Sequence, residues 1–463
     1  MIGVYKRGLR LALELARRGH EVVFFCTGRE FYHDGLTEQA EQCVQFIDIP
    51  FAKAIHEGAL KNRATFLSTL SEIKPDVVVI GEAPMIGPLL ETTLSAVELK
   101  IPVVCLDNAF RPEFVRSFWN NHGPMFDGMI LNGPSSLYWN NAPVHLLQVP
   151  PFVDPSIQDA ERLVRREFGA DSGNLVTVLA YDLNVAELAT SIFKDLGDAS
   201  LSIIYIGPDT DQIEQHRNRL PDQIRLRTRT ITPPDDKTLF GLIKLSKFAI
   251  TKCAYMQVTE SLSLGTPVIS FYYPGYFPLN FLPRVLKSFA YATDKLHSNP
   301  EILEIARKYL SMNPEDMHKV HNGELGAVVK SADFLEAISP QPRQEHSNES
   351  LRLGFTKKMV ESALKNLERP HSIALLQVRS TRLRVLKHVH NIHALVCEYS
   401  VNGERRTARL WGHTFISLWK SISEARQVMD RKSKRRLLYY SPVGHTLIEL
   451  DVGVEILPSY LFD

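Results

Sequence analysis

Cysteine is scarce in this chain, and what there is does not pair. Five cysteines stand in 463 residues, at Cys26, Cys43, Cys105, Cys253 and Cys397, and no two have the spacing of a metal site or a redox motif. Cys26, Cys105 and Cys253 fall in or beside apolar runs, which reads as small buried thiols in a reducing compartment. Net charge is nearly absent as well. A formal value of +1 gives no global field to draw nucleic acid or an acidic partner. No apolar run reaches the length that crosses a membrane, and the first residues lack the pattern of a secretory signal. The expected localisation is cytoplasmic. Histidines at 388, 390, 393 and 413 have no Cys or acidic residue in register, so no metal site is expected there. No bound cofactor is expected either.

What is present describes a soluble, well-packed molecule. Hydrophobic residues make up 44% and charged residues 23%, and the length asks for two or three domains. The spacing predicts a helix over 4–18, with Leu9, Ala12, Leu13 and Ala16 as its buried stripe, Arg17 and Arg18 in its last turn and Gly19 as its cap. Strands are expected at 21–25, 77–80, 103–106, 129–131 and 146–149, with helical stretches at 64–73 and 89–99. The strands are continuously apolar, as in a sheet covered on both faces. Strand and helix alternate, which indicates a parallel sheet. Such sheets bind ligands beyond the carboxyl ends of their strands, which singles out the loops 81–84, 107–110 and 132–134.

Pro150-Pro151-Phe152-Val153-Asp154-Pro155 has proline at three of six positions and reads as an interdomain linker. The alternation then restarts, with strands expected at 175–179, 203–206, 224–231, 248–251 and 268–271. The segment from Lys252 to Asn280 is the most informative. Thr259 and Glu260 are expected to open a helix that runs through Leu264, stopped by Gly265 and followed by Pro267 and a strand. A helix start beside a strand end suits phosphate, and a carboxylate such as Glu260 can accept from two vicinal sugar hydroxyls. Ordinary helix capping accounts for Thr259-Glu260 equally well.

Residues 248–253 and 259–269, which read Phe-Ala-Ile-Thr-Lys-Cys and Thr-Glu-Ser-Leu-Ser-Leu-Gly-Thr-Pro-Val-Ile, resemble the donor-site motif of the two-Rossmann-domain (GT-B) glycosyltransferases. The nearest branch is the MurG-like and UDP-glycosyltransferase-like one. Pro233-Pro234-Asp235 resembles the loop upstream of that motif, and Gly3 to Gly8 with Arg18-Gly19-His20-Glu21-Val22 resembles the family's first loop, helix and second strand. The resemblance covers about residues 1–335. It implies an α/β molecule of two Rossmann-like domains facing a cleft, an acceptor-side domain over 1–150 and a nucleotide-sugar donor domain over 156–336. It implies that Glu260 holds the ribose, that Lys252, Cys253, Ala254, Thr259 and Ser261 lie along the nucleotide, and that Pro274, Gly275 and Asn280 reach the donor sugar. Gly3, Tyr5 and Asn108 fall on the acceptor side. The implied reaction is sugar transfer from a UDP-sugar to a small-molecule or lipid-linked acceptor; the alternatives are a nucleotide-sugar epimerase or hydrolase and a non-catalytic binding protein that retains the fold.

The chain departs from the pattern in four places. The family's first strand has no counterpart before the first helix, Val4 stands where the family has its histidine base, Lys252-Cys253-Ala254 replaces a glycine pair, and Leu279-Asn280 replaces an Asp-Gln or Glu-Gln pair. The candidates for the base are therefore Glu82, Asp107 and His122, the first two because they follow strands on the ligand-binding edge. Residues 337–352 are a polar linker with prolines, and 353–463 form a strand-rich α+β domain of no recognised family, with helices expected at 356–367 and 414–430. Its basic run Lys432 to Arg436, before Tyr439 and Tyr440, reads as a solvated face rather than a nucleic-acid site. This domain is the expected surface for a second copy or a partner subunit.

Overall fold

The continuous apolar runs fold into parallel strands, as a computed structural model of the chain shows. The structure describes residues 2–26, 35–48, 65–81, 87–108, 126–153, 162, 164–167, 174–273, 289–313 and 326–338, with strands at 373–383, 392–401, 404–411, 436–441 and 446–451.

The N-terminal region opens on helix α1 (Ile2–Arg17) and ends it at Gly19, whose φ of 91° only glycine adopts freely. Strand β1 (Val23–Cys26), helix α2 (Gly35–Ala40), strand β2 (Gln45–Asp48), helix α3 (65–73), strand β3 (Val78–Gly81), helix α4 (Gly87–Glu98) and strands β4 (Val103–Asn108), β5 (Gly128–Asn132) and β6 (Leu146–Val149) follow. β3 to β6 form one parallel sheet in chain order, while β1 and β2 pair separately. Helix α1 packs against both. Tyr5, Leu9 and Ala12 join Cys26, Leu36 and Val44, and Leu11 joins Val104, Leu106 and Ile130. The helix is therefore buried around much of its circumference, wider than the single stripe expected.

The second domain is a doubly wound sheet. Its elements are β7 (Leu175–Leu179), α5 (Leu183–Leu196), β8 (Ser202–Ile206), α6 (Thr210–Arg217), α7 (Asp222–Arg225), β9 (Thr228–Ile231), α8 (Asp236–Leu245), β10 (Phe248–Lys252), α9 (Tyr255–Ser263), β11 (Val268–Phe271), β12 (Ala290–Thr293) and α10 (Pro300–Ser311). All six strands are parallel, in the order β12-β11-β10-β7-β8-β9. The winding reverses between β7 and β10, and a crevice forms beyond the carboxyl ends of strands at such a reversal. The strand expected over 224–231 is shorter than its apolar content suggested. Pro221 and Asp222 start a helical turn, and pairing begins only at Thr228.

The last helix of this half, α11 (Ala327–Ala337), lies against the first domain. Ala327, Ala332 and Leu335 join the core around Val104 and Ile130, and a Cβ at Gly128 would stand 2.8 Å from the Phe334 ring. Helix α11 thus returns the chain to the first sheet. Five further strands, β13 (Ile373–Leu383), β14 (Ile392–Val401), β15 (Glu404–Trp411), β16 (Arg436–Ser441) and β17 (Thr446–Asp451), make an antiparallel sheet ordered β13-β14-β15-β17-β16. The helices expected at 356–367 and 414–430 lie outside the described residues.

On the surface of α5, Arg219 donates to both Glu187 oxygens at 2.6 and 2.8 Å, and His216 Nδ1 stands 3.4 Å away. The Arg219 bonds hold the Glu187 carboxyl below its ordinary value against the effect of burial. Burial pushes His216 below its own. Both shifts favour the deprotonated form in the folded protein. Their stabilisation is complete at neutral pH and is lost as pH falls, first through the His216 value and then through that of Glu187. Glu187→Gln is expected to lower the unfolding free energy at about pH 7 by less than about 1 kcal/mol, because Arg219 is half exposed. The difference from wild type should shrink towards pH 3. Equal differences at both pH values would contradict the assignment.

Candidate functional site

Four helices of the second domain carry a polar side chain at the N-cap. Asp182 accepts from the Asn184 amide at the start of α5, Asp209 from Gln212 at α6, Asp235 from Thr238 at α8 and Asn299 from Ile302 at α10. Helix α9 has Ala254 there, extended at φ −94°, ψ 135°, with no side-chain cap and no acid in its first turn. That end follows β10, beside the reversal of the sheet. The dipole of a helix whose N-cap side chain does not compete favours an anion there.

Lys252 closes β10 at this edge. Its ammonium lies 3.1 Å from Asp182 Oδ2 and 4.9 Å from the centroid of the Tyr273 ring. The Asp182 carboxylate also accepts from the Tyr273 hydroxyl at 2.8 and 3.1 Å. The ends of β7, β10 and β11 are thus joined by one polar cluster.

The start of α9 corrects the expected helix boundary. Thr259 and Glu260 lie in its second turn, because Tyr255 and Met256 already pack as buried helical residues. Their main-chain amides are inside the helix. The Thr259 hydroxyl donates to the Tyr255 carbonyl and that of Ser261 to the Gln257 carbonyl. Cys253 is fully buried, and burial pushes its thiol up to about 12. Gly265 ends the helix as expected, at φ 79°.

Glu260 is buried, and its partner comes from the other domain. Arg10 of α1 donates from Nη1 to Glu260 Oε1 and to the Phe152 carbonyl, the latter at 3.1 Å, and from Nε and Nη2 to the two Asp236 oxygens at 2.5 and 3.1 Å. Burial raises the Glu260 pKa, and the opposing pull of Arg10 does not cancel the rise. Burial alone would loosen the Arg10 proton, but Asp236 and Glu260 outweigh it and the cation is held firmly. Nearby, the Tyr255 hydroxyl donates to the Asn132 carbonyl at the end of β5, at 3.2 Å. The strand ends of the two domains therefore face each other across α1 and α9.

In the first domain, Asn108 is buried and accepts from Arg7 Nη1 at 2.5 Å. Asp107 is half-buried beside it and accepts from the Asn108 amide at 2.7 Å. Gly3 lies in the first turn of α1. Tyr5 turns into the core instead, edge-on to Phe24 with 5.6 Å between ring centroids and its hydroxyl 3.3 Å from that of Thr37. Glu82, His122, Pro274, Gly275 and Asn280 lie outside the described residues. Among the described residues no cluster of metal-binding side chains occurs, and no helix is long and apolar enough to cross a membrane.

The sequence reading missed Arg10, Asp236, Asp182 and Tyr273. For Asp182 a signal was available: an acid just after a strand and just before a helix, in the same position as Asp209 and Asp235.

No protein-family profile and no curated protein sequence matches the chain. Solved structures do share its architecture. A protein of Listeria monocytogenes assigned as a UDP-N-acetylglucosamine 2-epimerase superposes with a TM-score of 0.51 at 13% identity, over 74% of this chain and 95% of its own. MurG of Acinetobacter baumannii gives 0.49 at 15%, over 72% and 96%. A UDP-N-acetylglucosamine 2-epimerase of Neisseria meningitidis bound to UDP-N-acetylglucosamine gives 0.49 at 14%, over 73% and 97%. At these identities the likeness is one of fold. The described α/β domains have the two-domain GT-B architecture, in agreement with the resemblance carried by the donor segment.

Proposed function

We propose that this chain is a glycosyltransferase that moves a sugar from a nucleotide-diphosphate donor, of UDP type, to an acceptor hydroxyl. The observation that carries the reading is the start of α9 at the reversal of the second sheet, where Ala254 brings no capping side chain and Lys252 stands beside it. In the reaction the acceptor oxygen attacks the anomeric carbon while the bond to the diphosphate breaks. Negative charge grows on the departing phosphate oxygens, and fixed amide donors stabilise it best where water is excluded. Lys252 can exchange Asp182 for a phosphate, because Asp182 keeps its bonds from Tyr273 and Asn184. Glu260, about one turn further along α9, is the acceptor for the ribose hydroxyls. Asp107 is the described candidate for the base, with Glu82 and His122 the others. The acceptor is a small molecule or a lipid-linked one, and the C-terminal sheet is the surface for a second copy or a partner subunit.

Thermal melting with UDP, GDP and dTDP tests the reading, with Glu260→Ala as control. Arg10 keeps both Asp236 bonds in that variant, so it should fold. UDP at a hundred times its Kd should stabilise the wild type by about 2.7 kcal/mol, and Glu260→Ala should lose most of that. If none of the three nucleotides moves the midpoint, the proposal fails. Labelled UDP-sugar with and without a cell extract then separates transfer from epimerisation, which needs no acceptor.

A further inference from the structure

A carboxylate that grips a ribose diol offers lone pairs on both oxygens to two hydroxyl donors. In this structure one Glu260 oxygen is already taken by a guanidinium, a stronger donor than any hydroxyl. The Glu260 side chain is only 8% exposed, and the Arg10 cation lies 4.9 Å from the centroid of the Phe240 ring. A sugar ring has no open surface against which to approach this carboxylate while Arg10 holds it.

The bonds of Arg10 are unevenly shared. One goes to Glu260, two go to Asp236 and one to Phe152, the residue at the crossing between domains. Release of Glu260 leaves the cation paired and hydrogen-bonded. Release of Asp236 would keep the Glu260 pair but leave Nε and Nη2 without these acceptors.

We propose that Arg10 is a latch on Glu260. The ligand-free protein rests closed, with α1 holding the carboxylate, and the ribose of an incoming nucleotide takes Glu260 from Arg10, which stays on Asp236. The inference rests on the reading of Glu260 as the ribose acceptor. A latched molecule does not bind ribose, so the apparent affinity is the intrinsic affinity reduced by the unlatched fraction. Arg10 thereby couples the nucleotide site to contact between the domains.

The test is calorimetric titration of the full chain and its Arg10→Met variant with UDP and with 2′,3′-dideoxy-UDP. Arg10→Met is expected to bind UDP about tenfold more tightly than wild type, as for a latch closed in roughly ten molecules to one. The dideoxy compound, which gains nothing from Glu260, should bind both proteins alike. Hydrogen exchange without ligand should quicken in α1 and α9 of the variant. If UDP prefers its hydroxyls but binds Arg10→Met equally or more weakly, Arg10 is a fixed strut and the latch is overturned. If UDP is no better than dideoxy-UDP in either protein, the ribose reading of Glu260 fails and the latch falls with it. Should Arg10→Met not fold, Arg10→Lys serves instead. It keeps the charge but cannot reach all three partners, and about a threefold gain is expected, with the same outcomes deciding.

Discussion

Asp236→Ala should destabilise this protein by about 3–5 kcal/mol, more than most substitutions at a helix start. Asp236 stands in the first turn of α8 and is buried. Its two oxygens take Nε and Nη2 of Arg10, a guanidinium whose side chain is only 7% exposed. Alanine leaves both donors without these partners in a buried interface, with Glu260 as the cation's remaining counter-charge. The loss of an acid from the first turn adds a few tenths of a kcal/mol through the helix dipole. The measurement is the first transition in urea, because a molecule of several domains does not unfold in one step. Asp236→Asn, which keeps one acceptor, should lose about half as much. The combination Arg10→Met, Asp236→Leu, Glu260→Met should be more stable than Asp236→Ala, since a buried charge cluster replaced whole by apolar groups leaves nothing unpaired. A triple variant weaker than the single one would contradict this account of the cluster.

That cluster also marks the limit of what the sequence discloses. Arg10 has a local partner on offer, Glu14, four residues on and one turn away. In the fold Glu14 goes to Arg17 and Arg18, at 2.8–2.9 Å. Arg10 turns instead to residues 226 and 250 positions further along the chain. Local spacing carries no trace of pairings at that distance. The strand and helix pattern was legible because it is local: β4, β5, β7 and β10 are apolar runs buried on both faces, and Gly19 and Gly265 stop helices where their φ requires glycine. The donor segment was legible as a segment, yet its helix was read as starting late. Thr259-Glu260 has the residue types of a helix start, whereas the real start at Ala254 has none, and an end free for a ligand is one that gives no capping signal. The setting of Tyr5 was hidden for a related reason: Gly3 to Gly8 resembles the family's first loop, whereas α1 begins at Ile2 and sets the ring edge-on to Phe24.

The absence of a cap on α9 yields a prediction in which stability and binding move in opposite directions. Ala254→Asp places a carboxylate at a backbone conformation already suited to an N-cap, φ −94° and ψ 135°. It should accept from the amide two or three residues on, as Asp182, Asp209 and Asp235 do for their helices. The gain should be about 0.5–1 kcal/mol, read as a higher urea midpoint for the second domain. The same carboxylate stands where the diphosphate would sit. It takes up the amides that would stabilise the leaving group and sets a negative charge about 4–6 Å from the phosphates, worth roughly 3–4 kcal/mol of repulsion at the effective dielectric of a partly buried site. UDP affinity should fall at least about a hundredfold. Ala254→Asn separates the two causes, because it caps without charge. It should give a similar gain in stability with a smaller loss of affinity, about tenfold. A stabilised Ala254→Asp protein that still binds UDP as the wild type does would place the phosphate elsewhere in the cleft and remove the main support for the proposed reaction.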